Sequence, residues 1–155
     1  MSDSITKIIP ANPYSHIAPQ TLQEAVNFLT ANALAENITS IVYDTPAFID
    51  CGENLEEIKC PVCGETLDFD WWGDAVDEAA GIGFTDLTIT TPCCHKDSSL
   101  NDLKYNFPCG FACAEIDMLN PTSELDDNCL KTLRELIGEP IRIIYSHIQV
   151  TETMK

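Results

Sequence analysis

Two pairs of cysteines have the spacing in this chain that points most directly to chemistry. Cys60 and Cys63 lie in the segment CPVCG, and Cys93 and Cys94 follow about thirty residues later in the segment TPCCH. Two thiolates with two residues between them can hold one tetrahedral ion from a single tight turn, which Gly64 can close by adopting a positive φ. Thiolate is a soft ligand that prefers zinc or iron to magnesium or calcium. We therefore predict one Zn2+ ion bound by the four cysteines.

The adjacency of the second pair places a condition on this prediction. Neighbouring side chains of an extended strand point to opposite faces, so Cys93 and Cys94 can bind one ion only where the backbone turns. Pro92 favours such a turn. If the chain does not turn there, His95 or Cys109 replaces one of the two cysteines. The sequence leaves these alternatives open.

Three functions can be built on such a site. Four thiolates close the coordination shell and give a structural metal, whereas a catalytic zinc keeps three protein ligands and an open position for water. A redox dithiol normally opens a helix. Here Glu65–Asp70 alternate in polarity, as do Leu87–Thr90, which favours two strands of a zinc ribbon. We expect a structural ion and assign no catalytic residue, with a metal-dependent hydrolase and a thiol redox protein as the alternatives.

A candidate binding surface lies between and just after the cysteine pairs. Both tryptophans of the chain are here, and exposed tryptophan is a favoured anchor at interfaces. The alternative is that both tryptophans cover the seam between the metal-binding segment and the rest of the protein. The predicted surface comprises Trp71, Trp72, Asp74, Asn101, Asp102 and Tyr105.

The charge of the chain limits its partners. Among 155 residues there are 25 acidic and 8 basic side chains, which gives a net charge of −17. A phosphate backbone would be repelled by that average field, and the sequence contains no basic cluster. We predict no nucleic-acid binding and a protein partner, which the charge would favour if it is basic.

The cellular compartment follows from hydropathy and cysteine usage. No apolar run is long enough to span a bilayer, so we predict no membrane association. The first residues lack a basic region followed by an apolar stretch, so they do not form a signal peptide. We predict a cytoplasmic location, in which cysteines remain thiols or metal ligands. Cys113 and Cys129 lie in apolar patterns and are predicted core residues, whereas Cys51 and Cys109 are predicted loop thiols.

The elements that position these residues are two β-α-β units at the ends of the chain. In the first unit, Ile5–Ile9 predicts a strand, a helix follows the capping-box pattern of Thr21 and Glu24, and Ser40–Tyr43 predicts a second strand that Ala47–Ile49 extends.

The last third repeats this order. Phe111–Leu119 predicts a strand, Ser123 a helix N-cap, Gly138 the end of that helix and Ile141–Val150 the final strand. We predict one α+β domain over residues 1–155. Its halves, 1–50 and 109–155, form a ferredoxin-like split β-α-β sandwich, and residues 51–108 form an inserted zinc-ribbon-like module.

The stretch from Cys60 to Pro121 resembles an uncharacterised bacterial family of small proteins with a zinc-ribbon-like segment. This resemblance implies a metal site and no mechanism. The family's glycine after the second cysteine pair is His95 here, so the resemblance does not imply His95 as a ligand. The residues that carry it are Cys60–Gly64, Asp70–Gly73, Phe84–Leu87, Thr91–Cys94, Ser99–Leu103, Tyr105, Pro108, Gly110–Phe111 and Asn120–Pro121.

Overall fold

The protein is mixed α+β in a computed structural model that describes residues 2–32, 35–50, 55–106, 109–122 and 125–149. Cys51, Pro108, Ser123 and Val150, which entered the sequence predictions, lie outside the described residues. The described residues form β1 (Ser2–Pro10), α1 (Pro19–Ala31), β2 (Ala35–Ile49), β3 (Ile58–Lys59), α2 (Phe69–Ala80), β4 (Thr88–Thr90), β5 (Asp97–Ser99), β6 (Lys104–Tyr105), β7 (Gly110–Pro121), α3 (Asp127–Ile137) and β8 (Ile141–Gln149).

The four long strands form one antiparallel sheet in the order β2-β7-β1-β8. In the centre of the sheet, Ile8 of β1 pairs with Ile116 of β7 and with Ile143 of β8. Strands β1 and β8 are rich in β-branched residues, which suit a pleated and half-buried surface. The predicted strands at both ends of the chain are therefore present, and the two that begin each unit lie side by side.

Helices α1 and α3 pack against one face of this sheet. Leu22, Ala25 and Leu29 of α1 recur at helical spacing and are buried together with Leu133 of α3. They share a core with Ile8, Ala114, Ile116 and Met118 of the sheet. Burial of this apolar stripe is the main stabilising contribution to the two helices.

The ends of these helices differ partly from the sequence prediction. Helix α1 begins at Pro19 after Ala18, without a side-chain cap, so the capping box of Thr21 and Glu24 is wrong. Proline has no N–H to leave unsatisfied and suits the first helical position. Helix α3 is capped by Asp126, whose carboxylate accepts from the backbone N–H of Cys129 at 2.8 Å. It ends at Gly138, as predicted, with a φ of 86°.

The described residues between β2 and β7 form one helix and two short strand pairs. Strand β3 pairs with β6, and β4 pairs with β5. The predicted strand over Glu65–Asp70 is wrong: only Thr66 forms a bridge, to Lys59, and α2 begins at Phe69. Asp68 caps α2 by accepting from the backbone N–H of Asp70 at 2.8 Å. The chain thus turns into a helix where alternation of polarity had indicated a ribbon.

This segment shares its core with the sheet. Phe111 of β7 lies with its ring centroid 5.2 Å from those of Phe48 in β2 and Phe84 after α2. These rings join a buried cluster that contains Ile58, Leu67, Leu87 and Leu100. The segment is therefore packed on the face of the sheet rather than tethered to it by its ends alone.

Two polar side chains also tie the segment to the sheet. The side-chain oxygen of Asn101, which is 6% exposed, accepts from the backbone N–H of Phe111 at 2.9 Å and from Nη1 of Arg142 at 3.2 Å. The same guanidinium nitrogen donates to the carbonyls of Asn101 and Cys109. These bonds satisfy buried polar groups, so they stabilise the seam. Within the described part of the chain, none of the helices has the length and hydrophobicity needed to cross a bilayer.

Candidate metal centre

The first cysteine pair lies on a tight turn between β3 and α2. The backbone N–H of Cys60 donates to the carbonyl of Glu65 at 2.9 Å, and that of Gly64 donates back to Cys60 at 3.0 Å. Gly64 has a φ of 80°, a conformation that glycine adopts without steric cost. The backbone N–H of Val62 donates to the sulfur of Cys60 at 3.4 Å. The turn therefore fixes the sulfur of Cys60 and brings Cys63 beside it.

The second cysteine pair lies on a turn with the same pattern of backbone hydrogen bonds, in which a threonine stands at the first position instead of a cysteine. The backbone N–H of Thr91 donates to the carbonyl of Lys96 at 3.0 Å, and that of His95 donates back to Thr91 at 2.9 Å. His95 has a φ of 56°, as Gly64 has at the equivalent place. Thr91 thus takes the position of Cys60, and its hydroxyl lies 3.3 Å from the sulfur of Cys94.

This equivalence explains how adjacent cysteines reach one site. Cys94 occupies the position that Cys63 has in the first turn, and Cys93 occupies the position of Val62. Because the backbone turns at these residues, the two side chains are not forced to opposite faces as they would be in a strand. The turn inferred from Pro92 is confirmed.

The four sulfur atoms form one cluster, in which all lie within 4.8 Å of one another. The sulfur of Cys60 is 3.8 Å from that of Cys94, the sulfur of Cys63 is 3.2 Å from that of Cys93, and those of Cys93 and Cys94 are 4.0 Å apart. These distances exceed the length of a disulfide bond, about 2.05 Å. The cluster could hold a metal ion.

Hydrogen bonds and proximity make the four thiols unequal as acids. The pKa of Cys60 is lowered to about 6, chiefly because the backbone N–H of Cys63 donates to its sulfur. At Cys63 the backbone N–H of Glu65 lowers the pKa, but the thiol of Cys93, the loss of solvation and the thiols of Cys60 and Cys94 together outweigh it and raise the pKa to about 12. One thiolate therefore forms readily, whereas further negative charge is disfavoured until a cation shares the site.

The two alternative ligands lie elsewhere. His95 is exposed, and Cys109 is buried beside the sheet with Ile9, Ile49 and Ile144. Neither belongs to the four-cysteine cluster that could hold a metal ion among the described residues. Cys109 was predicted as a loop thiol and is instead 1% exposed, because it directly precedes β7 in the core.

The remaining described cysteines have roles in packing. Cys113 is 1% exposed, as predicted for a core residue, and its thiol donates to the carbonyl of Pro13 at 3.5 Å. Burial raises the pKa of Cys113. Cys129 is half-buried on α3 and not a full core residue.

Five of the six residues of the predicted binding surface line two depressions, and their role in binding stays a prediction. Trp71 and Asp74 lie on α2 and line a groove of about 450 Å3 between this helix and β4. Asn101, Asp102 and Tyr105 line a second depression, of about 380 Å3, together with Arg142. Asn101 is corrected as a surface residue, because its side chain is buried and bonded within the seam.

Trp72 packs across the seam between α2 and the sheet. Its ring centroid is 5.7 Å from that of Phe48 on the sheet, and its indole N–H donates to the hydroxyl of Tyr105 at 3.2 Å. That hydroxyl donates in turn to the carbonyl of Leu100 at 2.7 Å. The seam-covering interpretation therefore holds for Trp72, whereas Trp71 faces the groove.

Sequence reasoning missed α2 and the equivalence of the two turns. Asp68 followed by apolar residues at 71, 75, 79 and 82 is the pattern of a capped helix, although Gly73 interrupts it. Superposition of CPVCG on TPCCH would have aligned both prolines and the second cysteines. The sequence therefore contains a signal for α2 and a signal for the equivalence of the two turns.

Comparison of this chain with protein-family models, curated proteins and solved structures gave no match. The resemblance to the bacterial zinc-ribbon-like family therefore stays a prediction, and the assignment of function depends on the site itself.

Proposed function

We propose that the protein binds one zinc ion through Cys60, Cys63, Cys93 and Cys94, and that the ion is structural. The observation that carries this proposal is the four-sulfur cluster. Four sulfurs about 2.3 Å from one ion lie about 3.8 Å from one another in a tetrahedron. Three of the six distances between the sulfurs, at 3.2, 3.8 and 4.0 Å, bracket that value, and all six are within 4.8 Å. Tetrahedral coordination by thiolates is typical of zinc and of iron, and zinc needs no redox partner.

The structural role follows from the number and placement of the ligands. Four thiolates leave no open position for water, so the site lacks what a zinc hydrolase requires. Cys60 is fully buried within the core of the segment, where an ion would join the turn after β3 to the turn after β4. A thiol redox role is disfavoured because Cys60 and Cys63 lie on a turn that is followed by the bridge residue Thr66, and not at the start of a helix.

We also propose that this ion stabilises a zinc-ribbon-like module inserted into one ferredoxin-like domain. The sheet order supports the domain assignment, since the first strands of the two β-α-β units, β1 and β7, are central and the second strands, β2 and β8, are at the edges. The two turns with matching hydrogen bonds support the ribbon. Cys60–Gly64 and Thr91–Cys94, which form most of these turns, are among the residues of the predicted resemblance to the bacterial family.

The function that such a metal serves is, we propose, the display of a surface that binds a protein partner in the cytoplasm. The net charge of −17 favours a basic partner and disfavours nucleic acid. A structural ion fixes the relative positions of elements that short strands alone would hold weakly, because two-stranded pairs are marginally stable in water.

Metal analysis of the purified protein tests the structural site. We expect one zinc per chain, and a large fall in melting temperature when a chelator removes it. Cys63→Ser should abolish zinc binding, because it removes one of the four ligands. Cys63 is exposed, so the substitution opens no cavity in the core. Cys129→Ala, a thiol outside the cluster, is the matched control and should retain one zinc. A metal-free protein with unchanged stability would overturn the proposal.

A further inference from the structure

We propose that the groove between α2 and β4 is a docking site for a basic segment of a protein partner, in which an arginine or lysine side chain lies among Asp74, Glu78 and Asp86 and an apolar neighbour packs on Ile82. This inference rests on the proposed protein-binding function and locates it. The groove has a volume of about 450 Å3, which is enough for one or two side chains of a peptide.

Six of the eleven described residues that line the groove are apolar, and two others are threonines. Trp71, Ala75 and Ala79 come from one face of α2, and Ile89 and Leu100 lie opposite. Ile82, just after the helix, is 54% exposed at the end of this apolar strip. Apolar surface that continues from a buried floor to an exposed isoleucine is a surface on which a partner gains by excluding water.

The rim of the groove carries negative charge, and no basic side chain compensates it among the described residues that line the groove. Asp74 and Glu78 are one helical turn apart on α2, a spacing at which like charges repel. Asp86 lies across from them, and its carboxylate accepts from the backbone N–H of Thr88 at 3.0 Å, which lowers its pKa and keeps it ionised. None of the residues that line the groove is basic. Among the described residues, the ion pairs join Lys7 to Asp50 and Lys59 to Glu57, away from this rim.

Charge and shape together select the occupant. A cation on the partner would relieve the repulsion between Asp74 and Glu78, and the face of Trp71 offers an aromatic surface for a guanidinium or ammonium group. The stem of such a side chain is aliphatic and suits the apolar floor. An acidic peptide or a nucleic acid would meet the same carboxylates with repulsion.

The groove is built from the two elements that the metal centre connects. Helix α2 follows the turn of Cys60 and Cys63, and β4 precedes the turn of Cys93 and Cys94. Removal of zinc is therefore expected to separate the walls of the groove and to weaken docking. Metal content and docking can nevertheless be measured separately, so failure of one is distinguishable from failure of the other.

Fluorescence anisotropy with a labelled synthetic peptide of repeating Arg-Leu-Ala tests the docking site in the zinc-loaded protein. The matched probe has citrulline in place of arginine, which removes the charge and keeps the shape. We expect the arginine peptide to bind and the citrulline peptide to bind at least tenfold more weakly. Asp74→Asn, Glu78→Gln and Asp86→Asn should each weaken binding of the arginine peptide about two- to fivefold. Ile82→Ser should weaken the binding of the arginine peptide without changing the charge.

The three groove substitutions are also combined in one variant, and its control is a triple variant that removes the same three charges elsewhere. Glu24→Gln, Asp127→Asn and Glu135→Gln lie on α1 and α3, are exposed and leave the groove intact. This variant should bind the arginine peptide within twofold of the unaltered protein at near-physiological salt. Equal weakening in the groove and control variants would overturn the proposal, since it would show attraction by net charge alone. Absence of binding by a protein that holds one zinc would also overturn it, and would leave the metal site standing.

Discussion

The left-handed conformation of His95 predicts that glycine at this position stabilises the second cysteine turn. A non-glycine residue with a φ of 56° is strained by about 1–2 kcal/mol, whereas glycine adopts it freely. Part of that gain is lost because glycine has more conformational entropy in the unfolded chain, a cost of about 0.5–1 kcal/mol. We therefore expect His95→Gly to raise the free energy of unfolding by about 0.5–1 kcal/mol. In a chain of this size that corresponds to a melting temperature higher by roughly 1–4 °C.

Two further variants separate backbone strain from loss of the imidazole. His95→Ala removes the imidazole and keeps a side chain in the left-handed region, so it should not stabilise. Gly64→Ala introduces the same strain in the first turn. A Cβ there would meet no atom within 4 Å, so its expected cost of about 1 kcal/mol is conformational and not steric. Chemical denaturation of the zinc-loaded variants gives all three free energies. If His95→Ala stabilises as much as His95→Gly, the strain explanation is refuted.

Two other predictions concern the seam and the sheet. Asn101→Ala should lower the free energy of unfolding by about 2 kcal/mol, because it removes the side-chain oxygen that accepts from the backbone N–H of Phe111 and from the guanidinium of Arg142. The control is Asn27→Ala, at an exposed position bonded to Gln23, which should change the free energy of unfolding by less than about 0.5 kcal/mol. Burial, followed by the neighbouring carboxyl of Glu115, raises the pKa of Asp117 to about 7, so the folded state keeps a proton that the unfolded state releases near pH 4. The contribution of Asp117 to the free energy of unfolding should therefore fall as pH rises from about 4 to about 7. Denaturation at a series of pH values should show a smaller decline in Asp117→Asn than in the unaltered protein. Equal pH dependence in both proteins would contradict the raised pKa of Asp117.

The strands and helices of the two β-α-β units at the ends of the chain were predictable because each carries a regular sequence pattern. Ile5–Ile9 and Ile141 onward are dense in β-branched residues, and Leu22, Ala25 and Leu29 recur at helical spacing. The order of the strands in the sheet could not be predicted from these patterns, because the antiparallel pairing of β1 with β7 joins residues more than a hundred positions apart.

The four-cysteine cluster was predictable as a set of residues and not as a geometry. The CPVCG turn is a local signal, because its backbone bonds lie within six residues. The second pair was ambiguous because Thr91 replaces a cysteine at the first position of the turn. The direction in which each tryptophan side chain points could not be predicted either. Trp71 and Trp72 are neighbours in sequence, yet α2 directs Trp71 to the groove and Trp72 to Phe48.

The proposed four-thiolate zinc site is tested most directly by X-ray absorption spectroscopy at the zinc edge of the purified protein. The account predicts one zinc per chain surrounded by four sulfur atoms at about 2.3 Å, with no nitrogen or oxygen ligand. Cys63→Ser should remove this signal, whereas Cys129→Ala should leave it unchanged. A first shell of three sulfurs with one oxygen or nitrogen ligand, or a protein without zinc, would contradict it.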